Sequence, residues 1–83
     1  MDLAVDVHLT ARDRAILRAV ANGNAELVWG TEPVLYIDGR FCCDPNAVHR
    51  LVGAGLIGPS EIAAAGERLP AVLTTAGRLE LMP

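Results

Sequence analysis

Apolar residues first settle into a helical rhythm at Ile16, Leu17 and Val20, which line one side of a coil while Arg14 and Arg18 stand a turn apart on the other. Thr10 comes before them with a hydroxyl that can cap the free amides of Ala11, Arg12 and Asp13, and Asp13 at the third helical position complements the positive helix end. Asn22-Gly23 stops the run, because glycine closes a helix in the left-handed conformation without strain. The pattern predicts a helix from Thr10 to Asn22. Ahead of it, Leu3, Val5, Val7 and Leu9 alternate with Ala4, Asp6 and His8, as an edge strand or an extended lead-in would.

Between Gly23 and Asp44 the period drops to two. Glu26 to Trp29, Val34 to Ile37 and Arg40 to Cys43 are short runs rich in branched and aromatic residues, separated by Gly30-Thr31-Glu32-Pro33 and by Asp38-Gly39. Asp-Gly between such runs predicts a two-residue hairpin, since both central residues of that turn take positive φ. The segment also holds Trp29, Tyr36 and Phe41, the three aromatics of the chain, and is expected to anchor the core.

A second helical rhythm begins at Asp44-Pro45, aspartate as cap and proline at the first turn, where its missing N–H does no harm. Over residues 46 to 54, Ala47, Val48, Leu51, Val52 and Ala54 fall on one arc and Asn46, His49, Arg50 and Gly53 on the other. Leu56-Ile57 and Ala71-Val72-Leu73 read as strands at the two ends of a long connection, within which Ser60 to Gly66 is expected to form one capped helical turn. Thr74 or Thr75 then caps a last short helix from Ala76 to Met82, whose Leu79 and Met82 are expected to return to the core.

Eighty-three residues, 52% hydrophobic and 20% charged, fit one domain with too few residues for both a core and a roomy catalytic cleft. No nucleophile elbow, phosphate-binding loop, paired-histidine motif or dinucleotide fingerprint occurs, so an enzyme is not expected. No apolar run approaches the ~20 residues of a membrane span, and Cys42 and Cys43 are neighbours that cannot staple a secreted fold. A reducing cytoplasm is the expected location. Adjacent cysteines in a strand point to opposite faces, so Cys42, Cys43 and His49 make no matched metal set. One cysteine is expected in the core and the other near the surface, with neither metal nor cofactor implied.

The net charge is −3, and all seven cations are arginines: 12, 14, 18, 40, 50, 68 and 78. No global field draws this chain to nucleic acid, so any such binding would be local.

Ala47-Val48-His49-Arg50-Leu51-Val52-Gly53-Ala54-Gly55-Leu56-Ile57 resembles the recognition helix and following Gly-Leu-Ile strand of winged helix-turn-helix domains. Leu73-Thr74-Thr75-Ala76-Gly77-Arg78 is similar to the Leu-Thr-x-x-Gly-Arg that follows the wing in multiple-antibiotic-resistance-type and phenolic-acid-type repressors. The likeness covers residues 45 to 80. It implies an α+β, winged-helix-like domain of two to three helices and a small antiparallel sheet; the chain departs from the family at residues 24 to 43, which read as strands and put a β-hairpin where the family has its second helix.

The function implied is that of a small DNA-binding transcriptional regulator reading duplex DNA with the 45–54 helix and the 58–70 wing. On that expectation Asn46, His49 and Arg50 meet base edges or phosphates, Arg68 reaches a phosphate or the minor groove, and Arg40 and Arg78 flank the footprint. So few cations would require pairing, and a homodimer through Leu3 to Leu9 and Leu79 to Met82 is expected. Asp44, Glu61 and Glu67 lie close by in sequence and would repel phosphates. The alternative is an acidic protein–protein interaction module, a regulator or inhibitor of phage or plasmid type that uses the same scaffold without binding DNA.

Overall fold

The Asp38-Gly39 turn folds as its residues demand, with φ of 54° and 77°, and joins two strands of a five-stranded sheet. A computed structural model of the chain describes residues 9–42 and 44–82. In chain order these form α1 (Ala11–Ala21), β1 (Ala25–Val28), β2 (Val34–Ile37), β3 (Arg40–Phe41), α2 (Pro45–Gly53), β4 (Ile57–Pro59), β5 (Arg68–Leu73) and α3 (Thr75–Leu81). The sheet is antiparallel throughout, in the order β3-β2-β1-β5-β4. The expected α+β class, with three helices and a small antiparallel sheet, is what the described residues form.

Period-two burial divides the sheet into two faces. Ala25, Leu27, Leu35, Ala71 and Leu73 point inward and join Leu17 and Val20 of α1 and Ala47, Val48 and Leu51 of α2 in one buried cluster. The other face carries Glu26, Val28, Val34, Tyr36, Phe41, Arg68 and Pro70, which pair with one another across the strands. Each helix is set by its cap. Thr10 Oγ1 accepts from Asp13 N–H at 3.0 Å while the Asp13 carboxylate accepts from Thr10 N–H at 3.0 Å, a reciprocal capping box. Asp44 accepts from Ala47 N–H, and Thr74 Oγ1 accepts from Gly77 N–H.

Gly77 has a second duty. A Cβ there would collide with the backbone carbonyl of Leu56, so only glycine lets α3 lie against the segment leaving α2. This gives the glycine of the Leu-Thr-x-x-Gly stretch a packing role.

Several expectations need correction. The aromatics do not anchor the core: Phe41 is 56% exposed, Tyr36 and Trp29 are half-buried, and the buried hydrophobic side chains are all aliphatic. Tyr36 and Phe41 instead meet edge-to-face on the outer side of the sheet, ring centroids 6.2 Å apart. Ser60 to Gly66 forms no helical turn, because its amides find partners across the connection: Ser60 N–H donates to Pro70 O, Gly66 N–H to Trp29 O, and Ala64 N–H to the Glu67 carboxylate. β5 starts at Arg68 rather than Ala71, because its first half pairs with β1 and its second with β4. Leu79 and Met82 stay exposed, and Leu81 packs on the core in their place. Ala54 is exposed as well, lying just past the end of α2. The extended lead-in or edge strand expected over residues 1 to 9 falls outside the described residues except for Leu9, and Cys43 falls outside them too; Cys42 is half-buried against the core.

Candidate functional site

α2 presents Asn46, His49 and Arg50 outward, as the spacing of its apolar residues requires once Ala47, Val48 and Leu51 are buried. Asn46 and His49 are exposed. Arg50 is engaged. Its Nη1 donates to Asp13 Oδ2 and its Nη2 to Asp13 Oδ1, both at 3.2 Å, a two-pronged grip on a carboxylate that is itself fully buried. The Arg50 side chain as a whole stays 54% exposed. The Arg50 hydrogen bonds hold the Asp13 carboxyl below its ordinary value, aided by the Thr10 amide against the opposing pull of burial. Reciprocally, Asp13 raises the pKa of Arg50. Asp44, the cap of α2, lies 3.4 Å from Arg12. The start of α1 and the face of α2 thus carry alternating charges that cancel in pairs.

The other expected contacts are scattered. Arg68 lies on the outer face of the sheet, opposite the face covered by α2, bonded to Glu26 at 2.8 Å with its guanidinium carbon 4.1 Å from the Tyr36 ring centroid. Arg40 is exposed on β3 at the sheet margin, and Arg78 is exposed on α3. The tip of the 58–70 wing is acidic and apolar rather than basic: Glu61 and Glu67 flank Ile62, which is 100% exposed, and three alanines. The fold therefore keeps Asn46, His49 and Arg50 together on one helix and separates them from Arg68.

What the apolar spacing alone does not disclose is a pair of cavities on either side of Phe41 and Cys42. One, of about 490 Å³, lies between the start of β2 and α2, with Pro33, Leu35 and Val48 as apolar walls and Glu32, Asn46 and His49 as polar ones. The other, of about 370 Å³, lies between α1 and the hairpin, lined by Arg12, Ala15, Ile16, Ile37, Arg40 and Asp44 besides the two shared residues. The only local signal for this region is the apolar Phe41-Cys42 pair just before a helix cap. Among the described residues no three His, Cys, Asp or Glu side chains gather to hold a metal ion, and no helix is long and apolar enough to cross a membrane.

Comparison with known protein families, curated proteins and solved structures finds no match to this chain.

Proposed function

We propose that the chain is a non-catalytic, acidic docking domain that binds another polypeptide through the cavities around Phe41. The Arg50–Asp13 pair carries this reading, because it ties the central cation of α2 to a buried anion and leaves that helix without a net positive face. A protein that neutralises phosphates needs several uncommitted cations along one surface. Here Arg12, Arg50 and Arg68 each have a carboxylate partner, and Arg14 donates to the Glu80 carbonyl. An exposed phenylalanine between two cavities is the kind of feature around which protein contacts are built.

A second reading, the DNA-binding regulator implied by the winged-helix resemblance, is supported by the exposure of Asn46 and His49 on α2 and by the helix-strand-connection-strand-helix order after residue 44. A fluorescence-anisotropy titration with random duplex DNA, at low and at about 0.15 M salt, separates the two. The docking reading expects no saturable binding at micromolar protein in the higher salt. Saturable binding that falls steeply with salt and weakens in Asn46→Ala and His49→Ala would replace it with the regulator. Those two side chains are the right probes because neither is tied into the fold as Arg50 is.

A further inference from the structure

The docking reading leaves the partner's chemistry open, and the margin of the sheet narrows it. β3 is the terminal strand, with a neighbour on one side only. Ile37 faces Arg40 across the two-residue turn, Tyr36 faces Phe41, and Cys42 N–H returns to Leu35 O at 2.9 Å. In an antiparallel ladder, bonded and non-bonded pairs alternate, so Phe41, between the two bonded positions, directs its own N–H and C=O away from β2. Among the described residues neither group has a partner beyond the sheet. On this two-residue edge strand the outward N–H and C=O offer an extended segment one pair of backbone bonds, so side-chain contacts beside the edge must supply the rest of its binding.

Beside that edge lies the 370 Å³ cavity. Ala15 and Ile16 of α1 and Ile37 of β2 give it apolar walls, and Arg12 and Arg40 give it two guanidiniums. Arg12 is held by Asp44 at 3.4 Å, whereas Arg40 has no ion-pair partner among the described residues, so the site carries a surplus positive charge on a chain whose net charge is −3. In a strand laid along β3, side chains alternate between the two faces of the sheet, so every second one can enter the cavity.

We propose, building on the docking reading, that the β3 edge and this cavity receive an extended acidic segment of another protein. The segment's backbone would pair with Phe41, an aliphatic side chain would lie against Ala15 and Ile37, and a carboxylate would meet Arg40. An acidic rather than a basic strand fits because Arg40 supplies the uncompensated charge.

The test uses the full chain and two labelled ten-residue peptides, one repeating Val-Val-Glu-Glu and the other Val-Val-Lys-Lys, so that each face of the extended strand presents both residue types. Anisotropy titrations are run on wild type, Arg40→Glu and Ala15→Trp, each shown by circular dichroism to melt like wild type. Both substitutions sit at exposed positions, so the fold should survive them. The expected result is saturable binding of the glutamate peptide, weakened about tenfold at low salt by Arg40→Glu and abolished by Ala15→Trp, with the lysine peptide preferring Arg40→Glu. Equal binding of both peptides to wild type, no binding of either, or indifference to Ala15→Trp overturns the proposal. Binding seen only after removal of residues 1–8, where Asp2 and Asp6 lie among Leu3, Val5 and Val7, would make that leading segment the occupant and overturn the assignment to another protein. Random duplex DNA titrated in parallel keeps the two levels apart: DNA binding removes the docking reading itself, whereas peptide failure without DNA binding removes only this site.

Discussion

Arg50 grips Asp13 with two hydrogen bonds of 3.2 Å, and the carboxylate it grips is the one that closes the capping box of α1. One buried side chain therefore caps the start of one helix and fastens a second helix to it. Asp13 accepts from Thr10 N–H and from both guanidinium nitrogens, so no buried polar side-chain atom among the described residues is left unpartnered.

Removing either partner should therefore cost stability, and not equally. Arg50→Ala strands a fully buried carboxylate without its counter-ion, whereas Asp13→Ala frees a guanidinium that already faces solvent. Losing Asp13 gives up its part of the cap, worth about 1 kcal/mol. Arg50→Ala should lower the melting temperature by several degrees and more than Asp13→Ala does, while Arg12→Ala, whose ion pair is exposed, should barely move it. Thermal denaturation of the three variants and of the Asp13→Ala/Arg50→Ala double variant checks this. The double variant should be less damaged than the sum of the single ones.

The same pair makes an acid-sensitive contribution. Its lowered pKa means that Asp13 binds a proton more readily in the unfolded chain than in the folded one. Its stabilisation is fully present above the unfolded value of about 3.9 and is lost as pH falls through the lower folded value. Urea unfolding at a series of pH values should show this group contributing no slope between pH 5 and 7 and a decline below about pH 4. In Arg50→Ala the decline should be shallower, because the chief cause of the lowered pKa has gone.

Two glycines on helices should respond in opposite directions. Gly77→Ala drives a methyl into the Leu56 carbonyl, a backbone atom that cannot swing aside, and should destabilise by about 2–3 kcal/mol or more. Gly53, in the last turn of α2, meets nothing within 4 Å, so Gly53→Ala should stabilise by up to about 0.5–1 kcal/mol through helix propensity. Chemical denaturation of the pair measures both.

Core and rim leucines should separate in the same way. Leu51, 1% exposed, sits among residues of α1 and the sheet, and Leu51→Ala should cost about 2–5 kcal/mol. Leu79→Ala, at a position 61% exposed on α3, should stay within about 0.5 kcal/mol of wild type. An equal loss at the two positions would place α3 differently from the packing described above.

Helix starts, the hairpin turn and the apolar stripes were legible in the chain because their causes are local. Thr10 caps an amide three residues on, Asp44 does the same for Ala47, Thr74 for Gly77, and Asp38-Gly39 needs only its own two φ angles. Hydrophobic spacing likewise marked Leu17, Val20, Val48 and Leu51 as buried, since the geometry of a single helix decides which residues share a side. What the tertiary structure alone decided is where charge and aromatic surface ended up. Asp13 and Arg50 lie 37 residues apart, and Glu26 and Arg68 lie 42 apart. No spacing rule links such partners: they meet only after α1 and α2 share a core and β1 lies beside β5. The same holds for Phe41, which reads as a core aromatic but falls on the outer face of an edge strand, because its strand's position in the sheet, not its own hydrophobicity, determines what covers it.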